Sequence, residues 1–375
     1  MISLSSARAW IDAHVAPLGG EMVPLAAASL RVLAQDVLTP ADLPDRDRAA
    51  IDGLAVRASE TAGASAYNPL SFNGQMLNAG EELPAGADAI VPLAFVERGA
   101  TGQSEIIEPV PGGYFVCRRA SAGTAGEVML RRGRVLTPPD IGLLALVEIA
   151  TVQIVRQPRV SCLLAGPASG PDANGAMLSA LITRDGGITA PRLIGRDRAA
   201  MAGALAQADA DAIIVAGGTG QGANDAAAAA LAEAGTLVHH GIAICPGETA
   251  GIGWSAAGIP VFLLPGMPAD CLWAYELLAG CAIRRLGGRD SALPFPARKM
   301  KTARKFVSAI GIAEVVPLAC LDGGLAQPLA AFAEVGLAAT VAADGFVIIP
   351  EDSEGVVEGT EVAAYLYSEP QGPTP

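Results

Sequence analysis

Apolar residues recur along this chain with three different periods, and each change of period marks a change of predicted structure. In residues 3–36 the spacing is helical. Trp10, Ile11 and Val15 fall on one face, with Ser5 or Ser6 placed to cap a first helix. Leu25 to Val37 predicts a second helix, stopped by Thr39-Pro40. Residues 41–129 switch to short apolar runs (LAVRA, AIVPLAFVE, EIIEPV, YFVC) between Gly/Pro turns such as LPAGAD and PGGY. That pattern predicts a barrel-like or sandwich-like β region. Thr137 or Pro139 then starts a short helix through Leu146, and a strand follows.

From 159 to 287 buried strands alternate with helices. RVSCLLAG, TAPRLIG, DAIIVAGG, LVHHGIAI and PVFLLPG are predicted strands. Residues 172–184, RDRAAMAGALAQAD, NDAAAAALAEAG (ending at Gly235) and PADCLWAYELLAGCAIRRLGG are predicted helices. Such alternation implies a parallel sheet covered on both faces. Residues 295–367 return to β character, LAATVAADGFVIIP included. No internal repeat occurs, and the alanine run 226–230 reads as a strong helix former.

Composition narrows the function classes. The chain has 375 residues, enough for several cores, and only 4% aromatics, so those cores are aliphatic. A formal charge of −13 argues against a broad nucleic-acid or anionic-membrane surface. An anionic ligand would need a local basic or helix-N-terminal site. Six cysteines are scattered without a C-x-x-C pair, as in a reduced cytoplasmic protein rather than a disulfide frame or zinc site. The N-terminus lacks a signal-peptide pattern, and no stretch reaches the ~18 apolar residues of a membrane span.

The barest stretch is IVAGGTGQGANDAAAAAL (214–231), four glycines between a strand and a helix. In an open parallel sheet, ligands bind beyond the carboxyl ends of strands. Gly allows close backbone approach, and a helix N-terminus favours an oxyanion. The competing reading is that Gly217 and Gly218 only permit tight strand–helix packing. No G-K-[ST] follows, so this is not a Walker loop, and it does not satisfy the dinucleotide G-x-G-x-x-G pattern in context.

Six ordered segments change the weight of that loop: DRDRAAIDGLAVRA (45–58), AGEELPAGADAIVPLAFVE (79–97), the 126–160 stretch around LTPPDIGLLALVE, AGGTGQGANDAA (216–227), HHGIAICPGE (239–248) and FLLPGMPADCLWAYEL (262–277). Together they resemble the molybdopterin molybdenumtransferase family, of which bacterial MoeA and the gephyrin E domain are members. Its patterns run, roughly, S-A-M-D-G-Y-A, T-G-A-x-x-P-x-G-A-D-A-V-V, G-x-x-L-x-P-x-x-I-G-L-L-A, T-G-D-E-L, S-G-G-V-S-x-G-x-x-D, F-H-G-V-A-x-K-P-G-K-P and L-P-G-N-P-V-S. The resemblance implies a MoeA-like α/β multidomain fold. A helical segment (1–40 and 130–157) would flank an inserted β domain (41–129). A parallel-sheet molybdopterin-binding α/β domain (158–290) and a C-terminal β domain (291–375) would follow. It also implies an elongated homodimer with a site between subunits, and insertion of molybdate into adenylylated molybdopterin with Mg²⁺ and release of AMP. Expected partners are the pterin itself and, downstream, a molybdoenzyme or another cofactor-assembly protein, without nucleic acid or membrane.

The resemblance assigns roles residue by residue. Asp52, Asp197 and Asp225 match acidic family positions and are the catalytic candidates, with Asp52 and Asp225 as metal ligands. Each has a plain alternative: Asp52 as an Asp-Gly turn, Asp197 as a first-turn helix acid, Asp225 as an N-cap. Gly217, Gly218, Gly220 and Gly222 would cradle the phosphate end of the pterin. Arg119 matches an arginine facing the anion, or forms a surface ion pair. Pro265, Gly266 and Pro268 would shape a loop wall. His239 and His240 are consecutive on a strand, point to opposite faces and cannot share one metal.

Several family charges are missing. T-G-D-E-L becomes Ala165-Gly166-Pro167-Ala168-Ser169, and the Thr of T-G-A becomes Ala79. The R-x-G-E-D acids become Ser121 and Ala122, and K-P-G-K-P becomes Cys245-Pro246-Gly247-Glu248-Thr249. Fewer carboxylates weaken a Mg²⁺ site, and lost lysines weaken anion attraction. The altered set predicts weak or absent molybdenum insertion and leaves two alternatives beside an active transferase. One is a catalytically degenerate paralogue that binds or assembles the cofactor; the other acts on an unrelated phosphorylated ligand.

Overall fold

The computed structural model describes residues 1–99, 102–166, 172–222, 225–329 and 336–368. Its contacts gather into two compact units. One contains Met1–Glu21 with Ile154–Pro375, and the other Met22–Gln153.

The larger unit is built on a sheet in the order Ile188–Thr189, Arg159–Ala165, Ala212–Ala216, Pro260–Leu264, Gly251–Ser255, Gly235–His240, with Arg192–Ile194 also paired to Arg159–Ala165. The first four strands run parallel, as the strand–helix alternation predicts. Gly251–Ser255 and Gly235–His240 are antiparallel additions at one edge, and the first of these had no sequence expectation. Both faces are covered. Leu4–His14, Ala173–Arg184 and the long segment from Pro268 to Leu286 bury residues such as Ile11, Leu178 and Leu278 against one face. Arg198–Ala206 and Ala227–Ala234 bury Met201, Leu205 and Leu231 against the other. The alanine run is therefore a thin helix seated flat on a sheet. The segment after Pro268 contains a π-helical turn, Tyr275–Ala279, between two α-helical pieces.

LVHHGIAI divides at Gly241, whose φ of +86° turns the chain. Ile242–Cys245 leaves the first sheet and pairs with Ile2–Ser3 and Ala313–Leu321. Ala313–Leu321, Leu325–Pro328, Ala297–Thr302, Glu361–Leu366 and Gly345–Ile349 close into a ring, because the last also pairs with the first. Phe306, Val316, Leu318, Val347 and Ile349 fill this C-terminal β domain. LAATVA is a helix, Leu337–Ala342, and not the strand its apolar content implies.

The smaller unit holds two three-stranded sheets, Met76–Leu77/Gly53–Val56/Ala89–Pro92 and Leu70–Phe72/Ser104–Ile106/Val96–Arg98. Leu54, Val56, Val91 and Ile106 form its main cluster. The helix predicted after Thr137 spans Pro138–Leu146, capped by Thr137 and Asp140 in reciprocal hydrogen bonds. The predicted helix from Leu25 to Val37 does not form. Leu25–Ala27 is a single 3₁₀ turn, Leu30 sits at φ +61°, and Val37–Leu38 pairs with Val128–Leu130. The cap of the first helix is Ser3, not Ser5 or Ser6. Among the described residues no helix is long and apolar enough to cross a membrane.

Candidate functional site

Three parallel strands end at Ala165, Ala216 and Leu264, on the same side of the larger unit's sheet. At those ends lies a cavity of about 550 Å³, lined by Gly166, the loop from Gly217 and the loop from Pro265, and within the usual size range for a small-molecule site. The position beyond the strand carboxyl ends is the one an open α/β sheet reserves for ligands.

The glycine loop forms one wall, and its bareness has local causes. Gly217 has φ +97°, and a Cβ there would lie 2.6 Å from the carbonyl oxygen of Ala165. Gly218 has φ +70°, with Met201 Cε 2.8 Å from where its Cβ would be. A side chain on Gly220 would meet Asp225 Oδ2 at 2.5 Å. Close packing is thus one reason for these glycines, and the exposed backbone of the cavity wall is its result. Gly266, in the facing loop, comes so near that a Cβ would lie 3.3 Å from Gly217 Cα. Pro265 and Pro268 line the same wall.

Buttresses hold the loop from behind. His240 Nε2–H donates to the carbonyl of Thr219 at 2.8 Å, and the Thr219 and Thr249 hydroxyls are 3.0 Å apart. Asn174 Nδ2 donates to Gly266 O at 2.8 Å, while its Oδ1 is buried without a partner. Thr219, His240 and Thr249 fall within quoted motifs and Asn174 does not, but none of the motifs specifies these pairings. The partners lie 21 to 92 positions apart in the chain, so the contacts have no local sequence signal.

Asp225 lines the cavity, but it is not the cap of the alanine helix. Its Oδ2 accepts the Gly222 N–H at 3.0 Å, and Ala226 holds the N-cap position without a side-chain bond. The first helical N–H, from Ala227, is already given to Gly218 O. Asp197 caps the Arg198–Ala206 helix by accepting from Ala200 N at 2.9 Å; its neighbour Arg196, rather than Asp197, lines the cavity. Asp52 and Arg119 belong to the smaller unit. There Asp52 Oδ1 accepts the N–H of Ala79 at 2.7 Å, which ties two of the quoted motifs together. Arg119 is engaged with Asp42 through Nε at 2.7 Å and Nη2 at 2.6 Å. The backbone N–H of Ala125 and the Arg119 guanidinium hold the Asp42 carboxyl below its usual range. Pro167, Ala168 and Ser169 lie outside the described residues.

Electrostatically the cavity is acidic. Among the described residues, Asp172, Asp225 and Asp270 line it, against the single cation Arg196. Asp172 is spoken for as the cap of Ala173–Arg184, accepting from Gly175 N at 2.8 Å. Asp270 is raised above the ordinary carboxylate range, first by burial and then by Glu248. Cys245, in the place of a family lysine, is pushed up to about 12 by burial and by Glu248, Glu314 and Asp270, so it is a neutral thiol. Among the described residues no group of three acidic, His or Cys side chains could hold a metal ion. The donor set therefore does not fit a resident Mg²⁺ held by protein alone. Mg²⁺ usually takes one or two carboxylates and completes its shell with substrate phosphates and water.

A β-rich N-terminal part followed by an α/β layer with a ligand cavity at its strand ends matches two adjoining family profiles. The "MoeA N-terminal region (domain I and II)" covers residues 2–147, and the "Probable molybdopterin binding domain" covers 159–285. Molybdopterin molybdenumtransferase 2 of Mycobacterium tuberculosis is 28% identical over 387 aligned positions, spanning 92% of this chain and 94% of that protein. The molybdopterin molybdenumtransferase of Haemophilus influenzae is 29% identical over 77% of this chain and 78% of its own. A crystal structure of a molybdopterin biosynthesis MoeA protein from Pyrococcus superposes with a TM-score of 0.79 at 28% identity, over 98% of this chain and 99% of that one. The chain belongs to the MoeA family.

Proposed function

We propose that the protein works in molybdenum cofactor biosynthesis as a molybdopterin molybdenumtransferase, placing molybdate into adenylylated molybdopterin. The observation that carries this reading is the cavity at the carboxyl ends of three parallel strands, walled by the glycine loop and lying inside the residues matched to the molybdopterin-binding profile. In it the bare backbone at Gly217, Gly218 and Gly220 seats the phosphate end of the ligand, with Arg196 the nearby cation; Gly222 lies outside the cavity lining and instead gives its N–H to Asp225, holding that carboxylate at the wall. Asp225 stands at the same wall to orient a substrate-borne Mg²⁺. The wall formed by Pro265, Gly266 and Pro268 closes the opposite side. Asp52, Asp197 and Arg119 keep supporting roles, through the turn, cap and ion pair they form. The end-to-end likeness to relatives named as molybdenumtransferases favours this reading over a catalytically degenerate paralogue, despite the missing charges.

The enzyme is proposed to be cytoplasmic and homodimeric, passing its product to a molybdoenzyme or another assembly protein. All six cysteines are free, which fits a reducing compartment. The smaller unit exposes Met22, Leu30, Leu38, Leu93 and Leu146, apolar surface that a second copy would cover. Sedimentation at micromolar concentration is expected to give a dimer; a monomer removes that part of the proposal. The activity test is incubation with adenylylated molybdopterin, molybdate and Mg²⁺. AMP release within about tenfold of an authentic family member is the expected outcome, with loss in Asp225→Asn. No metal-dependent release from correctly folded protein overturns it.

A further inference from the structure

Asp270 is the one cavity-lining acid whose carboxylate has no hydrogen-bond or ion-pair partner among the described residues. Asp172 and Asp225 both accept backbone N–H groups, and Asp270 accepts none. It is half-buried, so its lost hydration is not repaid within the protein. Beside it the cavity presents two large apolar side chains that are open to solvent, Met267 at 69% and Leu193 at 52% exposure. An unpaired acceptor flanked by uncovered apolar groups suits a flat heterocycle that carries N–H donors on one edge. Met and Leu contact the ring faces, and a thioether sulfur gains from an aromatic neighbour. Both Met267 and Asp270 depart from L-P-G-N-P-V-S, which has Asn and Ser there, so the arrangement is particular to this chain.

We propose that Asp270 is a specificity-determining residue that accepts two hydrogen bonds from the 2-amino group and N3–H of the pterin ring, with Met267 and Leu193 against the ring faces. This rests on the cavity taking a molybdopterin, as proposed above. A carboxylate presents two parallel acceptors, which match an amino group beside a ring N–H. An analogue with a 2-oxo group in place of the amine would set an acceptor against that carboxylate. The raised position of Asp270, caused by burial and by Glu248, is what an acceptor still waiting for its donors would show.

The test compares a pterin and a lumazine (2-oxo) bearing the same 6-substituent, with affinities read by pteridine fluorescence and by calorimetry. Wild type is expected to prefer the pterin by at least about tenfold, the usual yield of a bidentate pair. Asp270→Asn offers one acceptor and one donor, so its preference should invert toward lumazine. Asp270→Ser, carrying the family residue, should lose the preference while keeping the wild-type circular dichroism and melting temperature. If folded Asp270→Asn and Asp270→Ser discriminate as wild type does, the assignment is overturned. Wild type that binds molybdopterin yet does not distinguish the two rings overturns this assignment alone. Wild type that binds neither molybdopterin nor a simple pterin overturns the molybdopterin reading, and this assignment with it.

Discussion

Two sets of acidic side chains in the larger unit differ in burial and in the supply of partners. Asp185 and Glu276 are nearly sealed, with side-chain exposures of 1% and 2%. Asp185 accepts from Tyr275 Oη at 3.0 Å, Arg284 Nη1 at 2.8 Å and Arg184 Nε and Nη2 at 3.0 Å each. Glu276 accepts from Arg184 Nη1 at 2.6 Å and Nη2 at 2.9 Å. Arg184 in turn lies over Phe295. The cavity acids sit nearer water and are less completely matched: one backbone N–H each for Asp172 and Asp225, none for Asp270. Burial of charge with every carboxylate oxygen paired to a cation builds the scaffold. Partial burial with lone pairs left over makes a surface that a ligand can complete.

The largest effect should come from breaking the sealed set. Arg284→Met removes a cation from Asp185 and should cost about 3–5 kcal/mol, the penalty for stranding a buried charge. Urea denaturation measures it, and bound molybdopterin per folded molecule should not change. A loss below about 1 kcal/mol would mean that Arg184 alone suffices for both acids.

Gly218→Val comes next, and it acts on both sides of the comparison. A β-branched residue at φ +70° against Met201 stores roughly 1–3 kcal/mol of strain. Relieving that strain and the clash with Met201 should displace the loop backbone that lines the cavity. Molybdopterin should no longer copurify, although most of the protein stays folded; wild-type binding by the mutant would take the loop out of the site.

A similar stability loss, about 2 kcal/mol, is expected for Asp211→Asn, because charge-assisted bonds are stronger than neutral ones. Burial alone would raise Asp211, but Arg156, bound through both Nη atoms, and the Arg159 N–H hold it below the ordinary carboxylate value. A depressed folded-state pKa contributes stability above the unfolded value and loses it as pH falls through the folded one. The gap between wild type and Asp211→Asn should therefore be full at neutral pH and close below about pH 4. A pH-independent gap would point to lost packing instead.

The smallest effect is assigned to the loop buttress. His240→Phe removes the bond to Thr219 O and should cost about 1 kcal/mol in stability. A several-fold loss of molybdopterin affinity should accompany it, since of the two contacts that buttress Thr219 only the one to the Thr249 hydroxyl then remains. Unchanged affinity would show that the loop's own packing positions it.

The parallel layer was legible in the sequence because its three main strands, Arg159–Ala165, Ala212–Ala216 and Pro260–Leu264, are short apolar runs each followed by a helix. The glycine loop was legible for the same reason, since a strand end followed by bare backbone is a local signal. Leu25 to Val37 misled because its apolar spacing serves isolated pairings, Val32 with Val135 and Val37–Leu38 with Val128–Leu130, whose partners lie about a hundred residues on. LVHHGIAI misled because one glycine at positive φ sends its halves into different sheets. Asp270 drew no notice in the sequence, where it reads as a first-turn helix acid, an ordinary stabilising position. Only the cavity shows that it lacks a partner. The matched motifs around Asp52 and Ala79 could be read in order, but the hydrogen bond that joins them could not.

The strand Ile242–Cys245 works as a splice. It is covalently part of the α/β layer, yet its backbone bonds run to Ile2–Ser3 on one side and Ala313–Leu321 on the other. A chain cut near residue 290, where composition alone invites a division, would leave that strand with an open edge four residues from Thr249 at the cavity. Exposed edges recruit other chains. Such a fragment should aggregate and bind poorly, so the C-terminal ring is a structural dependency of the ligand site and not an accessory that evolution or an engineer could exchange freely.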